Sequence, residues 1–474
     1  MRKTKIICTL GPASNTKEMI RKLALAGMNV ARFNFSHGSH ETHAKTFREL
    51  LSVRNELGMP IGAILDTKGP EIRIRDFKNG KVILHEGDRF TLTTREVEGD
   101  ETIVSVSYPG LPHDLGDKSR ILVDDGLIEL AIEDKDDTDV HCRVVSGGEL
   151  GNRKGINLPG THISMPYISE QDRADILFGI RTGFDYIAAS FVRSKEDLQE
   201  VRTLLDENGG EHINIMAKIE NPDGVKNIRE IIDHCDAVMV ARGDMGVEIP
   251  LEDVPVIQKY IISEARMAGR QVVTATQMLD SMVRNPRPTR AEATDVANAI
   301  YDGTSVIMLS GETANGKYPV EAVRTMATIA ERAEKDINYA RRFYELTGKD
   351  TVGGITDAIS HATCLIAYNL DAAAIITVTK SGSTARMISR FRPTMPIIAC
   401  TPSAETQRQL SLSWGVEALM VGEERVTDML FDQAVNAARR AGYIKKDDIV
   451  VLTAGVPLAE SGTTNMIKVV KVGE

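Results

Sequence analysis

The residues able to do chemistry fall at the ends of short apolar runs. Ile213 to Ala217 leads into Lys218 and Glu220, and Ala237 to Val240 leads into Arg242, Gly243 and Asp244. Each run is too short for a helix and is followed by a helical pattern, the signature of a buried parallel strand. Glu220 and Asp244 could share one hard divalent cation, because magnesium usually takes only one or two protein carboxylates. Lys218 would then be a fixed positive charge beside that metal. Gly243 and Gly246 let the backbone approach an anion closely. An isolated Lys-x-Glu is more simply a solvated pair on a loop. The convergence of two strand ends within residues 213–250 favours a site.

Other apolar runs end the same way. Val30 to Phe35 carries Arg32 and Asn34 and leads to Ser36 and His37, and Ile61 to Leu65 leads to Asp66, Thr67 and Lys68, with Arg73 just beyond. Gln271 to Ala275 ends in Thr276, and Ser305 to Leu309 ends in Ser310 and Glu312. In a barrel of alternating strands and helices, all these ends face one mouth. The inventory suits a phosphorylated, carboxylated substrate. Two arginines offer planar forks of donors to phosphate oxygens. A divalent metal could polarise a carboxylate or enolate oxygen. Lys218 is placed to neutralise charge on a transferring phosphoryl group. Asn34, Ser36, Asp66 and Thr67 form an oxygen-rich cluster with one carboxylate. It either cages a monovalent cation or ties two strand ends together. No Ser-His-Asp triad emerges, His37 and His40 lack a third metal ligand, and Lys68 lacks the preceding glycine of a Walker loop.

The elements that must position these residues follow from the hydropathy pattern. Three strands alternate with two helices over residues 5–65, the first helix at 17–26 capped by Asn15 or Ser14 and the second at 40–57. From about 71 to 166 the pattern turns β-rich, with Asp125-Gly126 as a hairpin signal and the acidic run 133–139 as a solvated turn. Alternation resumes after 167, giving a fourth strand at Tyr186 to Phe191 and a total of eight. Eight strands with intervening helices are the count for a closed (β/α)8 TIM barrel. The expected organisation is α/β: a barrel from 1–69 plus 167–345, an inserted antiparallel β-barrel lid at 70–166, and a C-terminal α/β domain at 346–474.

Composition fits a globular protein. The 474 residues are 42% hydrophobic and 26% charged, with a formal net charge of -10 that argues against sequence-independent nucleic-acid binding. Five scattered cysteines have no metal-ligand spacing, as expected of reduced core thiols in the cytoplasm. No stretch approaches the roughly 20 apolar residues of a membrane span, and the N-terminal apolar run is too short for a signal peptide.

Eight segments carry a family resemblance: NVARFNFSHG (29–38), ILDTKGPEIR (64–73), KGINLPG (154–160), IMAKIENPDGV (215–225), VMVARGDMGVEIP (238–250), TATQMLDSM (274–282), NPRPTRAEATDVANAIYDGT (285–304) and MLSGETANGKYP (308–319). The chain resembles the pyruvate kinases over essentially its whole length. Phe33 is a small departure, where an aliphatic residue is more usual. Some bacterial members carry a further C-terminal domain, which is not expected here.

The resemblance implies transfer of the phosphoryl group of phosphoenolpyruvate to ADP, giving pyruvate and ATP. It assigns Arg32 and Lys218 to the transferring phosphoryl, Glu220 and Asp244 to magnesium or manganese, and Gly243, Asp244 and Thr276 to the substrate carboxylate. Asn34, Ser36, Asp66 and Thr67 match a potassium site. Asn34, Phe35, Ser36, His37, Arg73 and Lys154 match the nucleotide side, with the inserted domain as a lid. Thr276, through water, is the family's suggested proton donor to the enolate. A homotetramer is also implied. In the C-terminal domain, Thr379, Lys380, Ser381, Gly382, Ser383 and Thr384 follow a strand and open a helix. A second loop, from Ala454 through Thr464, could lie beside them. This is either an ordinary helix cap or a phosphate site for a sugar phosphate or nucleotide effector. Two other functions share part of this inventory. A magnesium-dependent lyase acting on pyruvate enolate would need the carboxylates but not Lys218 or the lid, and a catalytically silent metabolite sensor would need only the terminal domain.

Glu71 lies next to the four-oxygen cluster. In this family a glutamate there accompanies potassium dependence and a lysine accompanies independence, because a tethered ammonium replaces a mobile cation. The protein should therefore be activated by potassium, and Glu71→Lys should weaken that dependence. Full activity of the unmodified protein in potassium-free buffer would contradict this.

Overall fold

The computed structural model describes residues 2–116, 119–161, 163–346, 353–424, 426–456 and 464–473. Eight parallel strands close a barrel: Lys5–Thr9, Val30–Asn34, Gly62–Asp66, Tyr186–Ala189, Asn214–Ile219, Ala237–Ala241, Gln271–Ala275 and Val306–Leu309. Their alternation explains the continuous apolar runs. Ile7, Val30, Ile64, Met216, Met239 and Val273 point into one inner cluster. Their neighbours Ile6, Ala31, Leu65, Ile215, Val238 and Val272 pack outward against the surrounding helices. Both faces are buried, so both positions of each period-2 repeat are apolar.

The fifth strand extends two residues past the predicted Ala217, because Lys218 stays in register opposite Met239. Its charge is neutralised there, so it does not end the strand. The first helix begins at Lys17 and is capped by Thr16, whose hydroxyl accepts the Met19 N–H, rather than by Asn15 or Ser14. The Ser14 hydroxyl is occupied by the Gly11 N–H. The second helix spans His40–Leu57 as predicted, with a capping box between Ser39 and Thr42.

The inserted segment forms a seven-stranded sheet and a separate two-stranded pair. It is mostly antiparallel, as expected, with a parallel pairing of Arg89–Thr93 with Ile103–Ser105 and a parallel bridge between Phe77 and Gly99. The predicted hairpin turns at Asp124, Asp125 and Gly126, all at positive φ (55°, 55° and 82°). The acidic run departs from expectation. Asp139 is buried, accepting the Thr93 hydroxyl and pairing with Arg95, because it already belongs to the returning strand. Asp136, Asp139 and His141 lie close together here, with Asp139 buried and the other two exposed.

The C-terminal sheet orders its strands Val416–Met420, Ile397–Thr401, Ala374–Val378, Ile449–Ala454 and Met466–Lys471. Only the last pairing is antiparallel. This domain seals the amino-terminal mouth of the barrel. Leu412 joins the inner barrel cluster. The Tyr186 hydroxyl donates to the Gln409 carbonyl at 2.9 Å, and the Arg408 guanidinium meets Asp185 at 2.7 Å. Lys5 donates to the Val416 carbonyl at 2.7 Å and pairs with Glu417 at 2.9 Å. Burial raises the Asp185 carboxyl above its ordinary range despite Arg408 and Arg54 beside it. With that end closed, the carboxyl mouth is the open one. No helix among the described residues is long and apolar enough to cross a membrane.

Leu412 fills the barrel end as a core residue. Leu412→Ala should cost about 2–4 kcal/mol of stability, as large-to-small core changes do, measured as a lower urea midpoint. An unchanged midpoint would mean that the barrel end is held by its polar contacts alone.

Candidate active site at the carboxyl mouth of the barrel

Three buried charges meet where the third and fifth strands end. The Lys218 ammonium lies 3.1 Å from Asp66 Oδ1, 3.1 Å from Glu220 Oε1 and 2.7 Å from Ser190 Oγ. Arg32 reaches the other oxygen of Asp66 with Nε at 2.5 Å and donates from Nη1 to Thr9 Oγ1 at 3.0 Å. Register explains the meeting: Asn34 pairs with Asp66, and Asp66 with Ala188.

Burial alone would raise the Asp66 carboxyl, but Arg32 and Lys218 outweigh it and hold the group below its usual range. Burial works against the charge on Lys218, yet Asp66 and Glu220 hold its ammonium above the ordinary lysine value. Glu220 goes the other way. Its burial, helped by the charge of Asp244 and opposed by Lys218, pushes it up to about 7. One oxygen, Oε2, accepts the Phe191 N–H at 2.7 Å, while Oε1 is buried without a hydrogen bond. A buried carboxylate oxygen that accepts no hydrogen bond and has only the Lys218 ammonium beside it, near a second carboxylate, belongs to a donor set that fits a hard divalent cation.

Asp244 stands in the first turn of the helix Arg242–Glu248. The Gly243 N–H donates to Thr276 Oγ1 at 2.7 Å, and that hydroxyl donates to the Ala275 carbonyl at 2.6 Å. Thr276 and Gln277 both take positive φ, 69° and 53°. Arg242 turns away from the mouth to Asp295 and the Thr276 carbonyl. Glu312 is also turned inward, accepting the N–H groups of Ser310 and Leu279.

The four-oxygen cluster is partly engaged already. The Asn34 side-chain oxygen accepts the Ser36 N–H at 3.1 Å, the Thr67 hydroxyl lies 3.2 Å from the Ala188 carbonyl, and Ser36 is exposed. The Phe35 ring is buried and stacked on His43 at 4.1 Å, so only its backbone can meet a ligand. His37 is exposed, and its carbonyl accepts from His43 Nε2 at 2.8 Å. Arg73 and Lys154 lie across the cleft on the lid. Arg73 pairs with Glu71 at 2.6 Å and Lys154 with Asp124 at 2.8 Å. Together with Asp125, Phe191 and Asp244 they line a cavity of about 360 Å³.

Three positioning groups escaped the sequence. Thr9 holds Arg32, Asp172 accepts the Lys68 and Gly69 N–H groups, and Ser190 contacts Lys218. Ser190 fell inside the predicted fourth strand, Tyr186 to Phe191, which in the structure stops at Ala189. Asp172 left no signal, because it sits inside a helical pattern remote in sequence from the loop it holds.

In the C-terminal domain, the Thr379 hydroxyl accepts the Gly382 N–H at 2.9 Å, and Thr384 is buried against Thr464 at 2.9 Å between hydroxyls. Lys380 is exposed, its carbonyl accepting from Thr406. Ser381 and Ser383 are half-buried. The two loops meet at Thr384 and Thr464, although the Pro457 to Thr463 part of the second lies outside the described residues.

A closed barrel with a lid over paired cations and carboxylates at its carboxyl mouth defines a phosphotransferase of the (β/α)8 class. The family model for the pyruvate kinase barrel domain matches residues 1–323, and that for the pyruvate kinase alpha/beta domain matches residues 357–470. A pyruvate kinase of Clostridium acetobutylicum is 50% identical over 99% of this chain and 99% of its own. One from Geobacillus stearothermophilus is 51% identical over 99% of this chain and 80% of its own. The crystal structure of a pyruvate kinase from Cryptosporidium parvum superposes with a TM-score of 0.93 at 39% identity, covering 99% of this chain and 96% of that one. The chain belongs to the pyruvate kinase family.

Proposed function

We propose that the mouth residues divide the pyruvate kinase reaction, transfer of the phosphoryl group of phosphoenolpyruvate to ADP, among themselves as follows. Arg32 and Lys218 bind and neutralise the transferring phosphoryl oxygens. Glu220 and Asp244 hold magnesium or manganese. When bound, that cation supplies a positive charge at the oxygens of the developing enolate. Gly243, Asp244 and Thr276 bind the carboxylate end. Thr276 acts in protonation by relay, since its own proton is held by the Ala275 carbonyl. Asn34, Ser36, Asp66 and Thr67 hold potassium. Asn34, Ser36, His37, Arg73, Lys154 and the Phe35 backbone receive the nucleotide, and the lid closes over it to exclude water as acceptor. The observation that supports this division best is Lys218 itself. It is a buried ammonium kept charged by two carboxylates, one of which is the assigned metal ligand. A lyase would have no use for that charge, and a silent sensor would have no use for the whole arrangement.

The same reading extends to the assembly. Leu251, Val256 and Tyr260 expose apolar surface at and beside the helix Val254–Met267, and the edge strand Met466–Lys471 exposes Val469. Both suit self-association into a homotetramer in the cytoplasm. The three units divide near residues 69, 166 and 345. The loop from Thr379 to Ser383 takes a phosphorylated sugar or nucleotide effector, with Thr384 supporting it from beneath.

A coupled assay for ATP formation, with magnesium and potassium varied, tests the reaction. Lys218→Met keeps the stem and removes the charge. It should lower the rate by roughly 10³-fold or more with modest change in apparent substrate affinity, and a variant retaining a tenth of the activity would sink the assignment. For the effector, sugar phosphates and AMP are screened at subsaturating phosphoenolpyruvate and the active ones repeated with Ser383→Glu. The carboxylate should abolish activation, whereas an effect that survives it would mean that the effector binds elsewhere.

A further inference from the structure

The carboxyl end of the fourth strand has no role in the assignments above. Ser190 follows it directly and is 1% exposed. Its hydroxyl carries a single proton. The oxygen lies 2.7 Å from the Thr67 carbonyl and 3.2 Å from Asp66 Oδ1, and both of these can only accept. The proton is therefore spent on that side, and the lone pairs of the oxygen face Lys218. The ammonium donates to it across 2.7 Å, the shortest of its contacts. The geometry around Ser190 is fixed. Its N–H donates to Thr67 Oγ1 at 3.2 Å, and a side chain on Gly69 would come within 2.8 Å of its Cβ.

An ammonium has three protons. Here they face Asp66, Ser190 and Glu220. The contact with Glu220 differs from the others, because its Oε1 accepts no hydrogen bond. The next residue, Phe191, takes φ 56°, which is rare for a bulky side chain, and its N–H grips the other oxygen of Glu220. Consecutive groups thus fix the lysine and the glutamate. Backbone strain of this kind persists where the surroundings impose it.

We propose that Ser190 is a positioning residue. Together with Asp66 it holds two protons of the Lys218 ammonium, so that the proton facing Glu220 is the one presented to the phosphoryl group of the substrate. This rests on Lys218 acting as assigned above. Ser190→Ala removes one oxygen and adds nothing to the packing. Its kcat should fall about 10- to 100-fold, as when a hydrogen bond to a charged group is lost. The KM values for phosphoenolpyruvate and ADP should stay within about threefold. The dissociation constant for Mn²⁺ alone, read from the electron paramagnetic resonance of the free ion, should stay within about twofold, since the carboxylates are untouched. In a Lys218→Met background the serine change should cost nothing further, because the group it serves is gone.

Ser190→Cys, a weak acceptor of similar shape, should lose kcat in the same direction, and its Mn²⁺ binding reports that the site is folded. A kcat for Ser190→Ala within about twofold of the parent would overturn the proposal. So would an undiminished further loss in the Lys218→Met background, or weakening of Mn²⁺ binding that matches the loss in kcat. If Lys218→Met alone keeps a tenth of the activity, it is the lysine assignment that fails. If Lys218→Met is inactive and Ser190→Ala is not, that assignment stands and the serine inference fails.

Discussion

The structure depends on keeping one ammonium charged where there is no water. Lys218 is 7% exposed and Asp66 and Glu220 are fully buried. Charges in that setting persist only if paired and hydrogen-bonded, and removing one partner of such a pair typically costs about 3–5 kcal/mol. The partners come from different strands. Asp66 ends the third, Ser190 follows the fourth, Lys218 lies in the fifth and Glu220 follows it. Three parallel neighbours must therefore finish in register to within the length of a hydrogen bond. The barrel provides this because closure fixes every strand by its two neighbours, leaving no free edge to slip.

The same closure divides the labour between the two ends. The amino end is filled by Leu412 and stitched by Arg408, Gln409 and Lys5. The carboxyl end keeps its polar groups and faces the lid cavity. Only four residues, Tyr186 to Ala189, separate the C-terminal domain's grip on Asp185 from Ser190 beside Lys218. The helix carrying Arg408 is itself tied to the Thr379–Thr384 loop through the Thr406 hydroxyl and the Lys380 carbonyl. The loop proposed for an effector and Lys218 are thus joined by a short run of strand and hydrogen bonds.

Much of this was legible in the sequence. Apolar runs five residues long, buried on both faces, betrayed the strands, and the polar residues that ended them betrayed the mouth. What escaped had physical causes. Ser190 is a common residue at a strand end and becomes informative only when Lys218 is seen to donate to it. Asp172 and Asp185 act on backbone N–H groups far away in sequence, at Lys68 and Ala63, and side chain to backbone bonds of that kind leave no periodic trace. Phe35 was grouped with the nucleotide residues by its neighbours, yet it lies in the turn after the second strand and its ring is buried and stacked on His43. The helix cap slipped by one or two residues, to Thr16, because Ser14 was already bonded to a nearer N–H.

The seal at the amino end also sets an order of events during synthesis. Lys5 belongs to the first strand, and its ammonium is buried against the Val416 carbonyl and Glu417. On the ribosome, at about 5–20 residues per second, that partner emerges on the order of half a minute after the lysine. Until then the first strand can pair with the second and the eighth, but its amino end carries a charge that must stay in water. The nascent barrel therefore waits half-finished, its inner apolar cluster open at the bottom and without Leu412. It is in this interval that a chaperone would find it, and a ribosome stalled between the barrel and the last domain would leave a chain with all eight strands whose amino end lacks its seal.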